Sequence, residues 1–188
     1  MVENEKARLA STAHLCLRCG LCCSGVIFDD VPVQEEEAGR LKTLGFDVRQ
    51  QKDALRFRQP CTLFSGVLCS VYAERPAACR KFECKLLRRH QDHQVSDEEA
   101  SSVVDAAKAL VERLQPFLEK GESVASARKR WQVERQQVAG GSGAIGDSDQ
   151  AQFHLHMATL NIFLDKHFRA DGRHMMTGKP VASRSGRT

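Results

Sequence analysis

The residues of this sequence that are best suited to chemistry are its eight cysteines, which all lie in the first half of the chain. The stretch CLRCGLCC places four of them within eight positions, and the other four follow at wider intervals. Thiolates bind soft and borderline metals, so this set predicts metal binding. The candidate ligands are Cys16, Cys19, Cys22, Cys23, Cys61, Cys69, Cys79 and Cys84.

The first cysteines have the spacing of a cluster-binding loop. Two residues separate Cys16 from Cys19, and two more separate Cys19 from Cys22. A Cys-x-x-Cys-x-x-Cys run wraps three sulfurs round an iron–sulfur cluster, whose fourth cysteine comes from elsewhere in the chain. Gly20 favours such a loop, because glycine adopts a positive φ at little cost.

The later cysteines do not form the second Cys-x-x-Cys pair of a zinc ribbon. Seven, nine and four residues separate the last four cysteines in turn, so the fold must bring them together. Cys22 and Cys23 are neighbours in sequence, and adjacent side chains diverge in most backbone conformations. Eight thiols therefore predict either two four-sulfur sites or one site with spare cysteines nearby.

Other interpretations of these residues are open at this point. Free cysteine is often buried as a small hydrophobic residue, which suits one or two of the eight but not a quartet with metal spacing. His90 and His93 follow the last cysteine at a spacing that permits ligation from one helix face, but their neighbours favour exposure to solvent. His14 is close to the quartet, whereas His154 and His156 are two residues apart and face different ways.

The composition predicts a globular protein in a reducing compartment. The 188 residues are 41% hydrophobic and 28% charged, which is enough for one domain with a core that needs no disulfide staples. In a reducing cytosol, eight cysteines indicate metal or redox chemistry rather than four disulfides. The first 15 residues lack the apolar run of a signal peptide, so we expect a cytoplasmic protein.

The charge pattern gives little support to a nucleic-acid partner. The net charge is +4, and basic residues are mixed with acidic ones along the chain. This mixing does not build the basic stripe that binds a phosphate backbone. We expect Arg128, Lys129 and Arg130 on the exposed side of a helix. No apolar run approaches the roughly 18 residues of a membrane-spanning helix, so we expect no membrane insertion.

Hydrophobic periodicity predicts an α+β fold. A small cysteine-rich metal-binding core with few short strands precedes a mainly helical C-terminal half. We expect the cysteine-cluster region in residues 1–95, a helical region packed on it in residues 96–169, and a disordered tail in residues 170–188.

Local patterns predict the elements of both halves. In the first half we expect strands near residues 25–33 and 55–58, a helix over residues 33–44, and a helix that Pro76 opens and that carries Cys79. In the second half, Ser96 and Glu99 have the form of a capping box, and Pro116 should kink or end the helix that follows. Further helices are expected over about residues 122–138 and 148–168, with a flexible linker at 140–146 between them.

The order of the cysteine motifs resembles the CxxCxxCC family, the YkgJ-type cysteine cluster proteins. The motifs are CLRCGLCC from Cys16 to Cys23, then Pro60-Cys61, then the run from Cys69 to Cys84, and they cover roughly residues 14–90. The resemblance implies a zinc- or iron-chelating domain with either an iron–sulfur cluster of the [4Fe–4S] type or zinc. A related arrangement occurs in bacterial flagellin lysine methylases, but no glycine-rich nucleotide loop here supports methyl transfer.

Polar residues of these motifs have a physical use whichever metal binds. We expect Arg75 and Arg80 beside several thiolates, where a cation lowers the pKa of sulfur and offsets negative charge. Pro76 at the start of a helix would place Cys79 in its first turn, where the helix dipole also favours thiolate. For Tyr72 we expect core packing, with a hydrogen bond to a ligand as the second interpretation.

These observations predict a cytoplasmic metal-binding protein. The first hypothesis is an iron–sulfur cluster on cysteine thiolates with a redox or cluster-carrier role. The alternatives are a structural zinc protein that presents its helices to a protein partner, and a protein of metal storage or delivery. No Ser-His-Asp, Cys-His or paired-carboxylate arrangement emerges from the spacing, so an oxidoreductase-type role is the enzymatic activity that the pattern allows.

Overall fold

The computed structural model describes residues 15–66, 68–143 and 146–169, which form an α+β fold. Three antiparallel strands lie near the start of the chain, and the C-terminal half is mainly helical. The predicted fold class is therefore confirmed. His14, the expected tail at 170–188 and part of the expected linker at 140–146 lie outside the described residues.

The described residues contain three strands and seven helices. The strands are β1 (Asp30–Val33), β2 (Val48–Gln51) and β3 (Ala54–Arg58). The helices are α1 (residues 15–19), α2 (Glu35–Thr43), α3 (Ala77–Lys81), α4 (Lys85–Gln91), α5 (Asp97–Leu114), α6 (Val124–Ala139) and α7 (Ser148–His167). Short 3₁₀ helices lie at Tyr72–Glu74 and Gln115–Phe117.

The sheet has the strand order β1-β3-β2, so β3 is central and the other two strands are edges. Phe57 on β3 lies opposite both Val31 and Val48. Pro32, which has no N–H to donate to a neighbouring strand, lies on an edge strand. The periodicity does not predict β2, because its sequence VRQQ is mostly polar. The first strand is expected over residues 25–33, which is longer than the observed β1.

A first cluster of buried side chains, the sheet core, lies between the sheet and α2. Leu41 of α2 is fully buried in it, and Gly45 ends the turn after that helix with a φ of 95°. The members of the sheet core are Val31, Val33, Ala38, Leu41, Phe46, Val48, Phe57 and Cys61.

A second cluster, the helical core, joins the two halves of the chain. It consists of buried apolar side chains from α4, α5, α6, α7 and Phe168, together with residues of the segment 15–28 such as Leu21. The apolar face of α7 is buried in it, from Phe153 to Leu164. The helical half therefore packs against the segment that carries the first four candidate ligands, Cys16, Cys19, Cys22 and Cys23.

The ends of α5 follow the sequence signals. The hydroxyl of Ser96 accepts a hydrogen bond from the N–H of Glu99, and the carboxylate of Glu99 accepts one from the N–H of Ser96. The predicted capping box is thus confirmed. The helix ends at Leu114, and Pro116 lies in the 3₁₀ turn that follows. None of the described helices is long and apolar enough to cross a membrane.

Arg128 is buried, so the prediction of an exposed position is wrong for this residue. Its side chain is 8% exposed and donates hydrogen bonds to the carbonyl oxygen of Val26 and to Oδ1 of Asp29, the latter at 2.8 Å. Burial lowers the pKa of the guanidinium to about 10, although the ion pair with Asp29 acts in the opposite direction. Three consecutive cations in a sequence do not indicate which of them will face a buried carbonyl. Lys129 is exposed, as expected.

We expect Arg128→Ala to lower the free energy of unfolding by about 1–3 kcal/mol, because the carbonyl of Val26 would be left without its partner. The matched control is Lys129→Ala, which removes a cation that is 62% exposed and 3.6 Å from the same Asp29 carboxylate. Its expected cost is below about 1 kcal/mol. Denaturant unfolding of both variants measures the difference, and equal losses would show that Arg128 acts only as a surface charge.

Candidate metal centre

The cysteine loop, residues 15–28, turns sharply at Gly20. Cys16 and Cys19 lie on α1, and Gly20 follows the helix with a φ of 65°. A Cβ atom at this position would lie 2.8 Å from Cζ of Phe64. Only glycine meets both the positive φ and the close approach of the phenyl ring, so the expected role of Gly20 in the loop agrees with its geometry.

A first group of four thiols lies against the helical core. All four side chains pack on that core, and the thiol of Cys84 interacts electrostatically with each of the other three. Cys84 is the N-cap residue of α4, where its Sγ accepts a hydrogen bond from the N–H of Leu87 at 3.3 Å. The members of this group are Cys16, Cys19, Cys22 and Cys84.

A second group of four thiols lies beside the sheet core. Cys61 is part of that core, and Cys23 and Cys79 pack against it. The N–H of Cys61 donates to the carbonyl oxygen of Cys23 at 2.8 Å. Cys69, which forms a β-bridge with Phe64, interacts electrostatically with the other three thiols. The members of this group are Cys23, Cys61, Cys69 and Cys79.

The two groups share one cavity of about 400 Å³, which all eight cysteines line. They meet at Cys22 and Cys23, and the thiol of Cys23 interacts across the boundary with those of Cys22 and Cys16. Gln59 also lines the cavity. Its side chain is buried, and Oε1 has no hydrogen-bond partner among the described residues. A buried acceptor of this kind is normally satisfied by water or by a ligand.

Burial is the largest influence on the pKa of most of these thiols, and it favours the protonated form. It raises the pKa of Cys16 to about 11 and that of Cys19, Cys23 and Cys79 to about 12. The pKa of Cys22 is raised well above the usual value for the same reason. Neighbouring sulfurs act in the same direction, so a metal ion must displace protons in order to bind.

Arg75 is the cation that faces both groups. Its charge counteracts the rise in pKa at one thiol of the first group and at two of the second. The guanidinium lies 3.8 Å over the ring of Tyr72 and donates a hydrogen bond to the carbonyl oxygen of the same residue. Arg80 lines the cavity and donates to the carbonyl oxygen of Arg75, so it orients the residue that faces the sulfurs.

The histidines of the described chain do not line the cavity. His90 pairs with Asp97, and His154 pairs with Glu134. His93 is exposed. No described imidazole therefore reaches the cavity, and the side chain of His90 is 10% exposed, so the expected exposure to solvent is wrong for that residue.

A family model named CxxCxxCC and described as "Putative zinc- or iron-chelating domain" matches residues 15–108, half of the chain. The chain belongs to the CxxCxxCC family. The family predicted from the order of the motifs is confirmed. The match includes both groups of thiols and continues into α5. No curated protein and no solved structure matches the chain.

The donor set fits the metals named for the CxxCxxCC family. All eight cysteines are free, and groups of four thiolates suit either zinc or an iron–sulfur cluster. Within the described ranges, no three His, Cys, Asp or Glu side chains are arranged to hold a metal ion as they stand. The thiols of a group must therefore lose their protons and draw together when a metal binds.

Residues from other parts of the fold also reach the cysteines, although the sequence pattern does not mark them. Lys108 of α5 donates to the carbonyl oxygen of Arg18 at 2.6 Å, and its charge counteracts the rise in pKa at Cys19. Arg18 also pairs with Asp105 of the same helix at 2.7 Å. No local signal marks these α5 residues, because the contact depends on how the helix packs on the loop.

We expect Gly20→Ala to destabilise the protein by at least about 1–2 kcal/mol, because an L-residue is strained at positive φ and the new methyl group would meet Phe64. Gly39→Ala is the matched control. Gly39 lies inside α2 with open space around its Cα, so the same change should stabilise by about 0.5–1 kcal/mol. Opposite signs in thermal unfolding are predicted; equal effects would contradict the loop geometry.

We expect zinc binding to release protons at pH 7, because burial holds the pKa values of these thiols at about 11 to 12. Since the thiols are protonated below these values, affinity should rise with pH. A site that loses four protons would bind about 10⁴-fold more weakly for each pH unit of acidification. A pH indicator in weak buffer counts the protons during zinc titration of metal-free protein. Binding without proton release would show that the thiols are already ionised.

Proposed function

We propose that this metal-binding protein holds an iron–sulfur cluster on the first group of thiols. The spacing of Cys16, Cys19 and Cys22 is that of a cluster-binding run, in which the fourth cysteine comes from elsewhere. The observation that carries the proposal is the position of Cys84, which lies beside all three of them. These four residues would be the ligands.

The surroundings of the first group support a cluster that carries negative charge. The N–H of Leu87 points at the sulfur of Cys84, and such hydrogen bonds tune the reduction potential of iron–sulfur sites. Arg75 and Lys108 supply positive charge near Cys16 and Cys19 respectively. When bound, the cluster would supply one-electron chemistry. The residues of the chain hold it, shield it and balance its charge.

A redox role is favoured over cluster carriage by the packing of the ligands. All four side chains of the first group contact the helical core, and none of them is exposed. A carrier must release its cluster to an acceptor, which buried ligands resist. We therefore place electron transfer, in an oxidoreductase-type system with a protein partner, before delivery. A reducing cytoplasm is the compartment in which eight free thiols stay available.

The second candidate function is a structural zinc protein. Its support is that the eight thiols fall into two groups of four, which is the ligand number of closed zinc sites. In that case the metals would hold the fold, and the helices would be presented to a protein partner. The two candidates differ in iron, sulfide and colour.

The test is the content of iron, zinc and acid-labile sulfide per chain, with an absorption spectrum, after purification without oxygen. We expect iron with matching sulfide and a brown colour that dithionite bleaches. Cys84→Ser should lose most of the iron and the colour. The control His90→Gln should keep both, because His90 pairs with Asp97 and not with the cavity. Stoichiometric zinc without sulfide would overturn the iron–sulfur proposal.

A further inference from the structure

We propose that the second group, Cys23, Cys61, Cys69 and Cys79, is a separate zinc site that fastens the crossing segment, residues 59–76, to the sheet core. The inference goes beyond the proposed function. It rests on one part of that function, which is that the cysteines bind metal as thiolates. It assigns a different metal and a structural role to half of the cysteines.

The packing of the thiols supports two sites rather than one. The first group contacts the helical core, whereas Cys61, Cys23 and Cys79 contact the sheet core. These two cores are separate clusters of buried residues. A single site that drew on both groups would have to gather thiols that pack on two different cores.

The backbone at the boundary explains how the chain serves both sites. Cys22 and Cys23 are adjacent, and each packs on a different core. The carbonyl oxygen of Cys23 accepts the N–H of Cys61, which ties the start of the second group to the crossing segment. One peptide unit therefore separates the two proposed sites along the chain.

The crossing segment has little regular secondary structure to hold it in place. Its described residues contain no α-helix and no strand of the sheet, but only a bridge between Phe64 and Cys69 and the 3₁₀ turn Tyr72–Glu74. Two of the four thiols, Cys61 and Cys69, lie within it. A closed four-cysteine zinc site contributes folding free energy directly, and here it would join this segment to the cysteine loop and to α3.

Zinc is assigned because the second group lacks the Cys-x-x-Cys-x-x-Cys run of the first. Its four thiols come from four places in the chain, and four is the ligand number of a closed tetrahedral zinc site. Four thiolates around Zn²⁺ leave a net negative charge. Arg75 faces Cys23 and Cys79 and offsets part of that charge, while its contact with Tyr72 keeps it in place.

The first experiment uses the wild-type chain as purified without oxygen, with iron, zinc and sulfide measured before and after EDTA. We expect zinc to leave while iron stays. Backbone hydrogen exchange should then rise at least tenfold in the crossing segment and stay unchanged in α5 and α7. Zinc loss without faster exchange there, or an absence of zinc, would overturn the inference. This form of the test does not depend on the folding of any variant.

The second experiment compares matched variants. Cys69→Ser should lose zinc and keep iron, and Cys19→Ser should lose iron and keep zinc. Complete loss of all bound metal in each of the two variants would indicate one shared site and overturn the inference. The two proposals fail separately. If zinc fills both groups and Cys69→Ser halves the zinc content per chain, the iron–sulfur cluster is rejected but the second site is retained. If iron and sulfide fill both groups, only the assignment of zinc is rejected.

Discussion

The arrangement of this protein depends on one constraint, which is that the side chains of adjacent residues point in different directions. Cys22 and Cys23 obey it by packing on different cores. Because these two side chains diverge, the other cysteines fall into two groups, one with Cys22 and one with Cys23. Cys16 and Cys19 lie on the same loop as Cys22 and face the helices, while the carbonyl of Cys23 receives the crossing segment. The sheet and the helical half then act as two walls of one cavity.

Burial of the thiols determines the free-energy cost of ionising them, and a metal ion must offset that cost. A buried thiolate without a counter-ion is costly, so the free thiols keep their protons, and their raised pKa values record that cost. A metal ion supplies the missing positive charge and stabilises the thiolates that draw together round it. The fold therefore gathers ligands that are inert by themselves, and the helical half contributes by excluding water and by placing cations such as Lys108 near the sulfurs.

The sequence predicts much of the fold because its signals are local. The capping box at Ser96, the stop at Pro116 and the apolar face of α7 are each encoded within one or two helical turns. The family is also readable, since its motifs lie in order along the chain. The sorting of the thiols is not readable in this way, because Cys84 and Cys79 are close in sequence but belong to different groups. They separate because α3 ends before Cys84, which begins a new helix. The burial of Arg128 likewise depends on how α6 packs, and a polar strand such as β2 is fixed by its neighbours.

The most direct test of this account is to locate the metals by anomalous X-ray scattering, at the iron and zinc absorption edges, in crystals of protein prepared without oxygen. The account predicts two separate peaks. An iron peak should be surrounded by Cys16, Cys19, Cys22 and Cys84, and a zinc peak by Cys23, Cys61, Cys69 and Cys79. A single peak with ligands from both groups would contradict the division of the thiols on which the account rests.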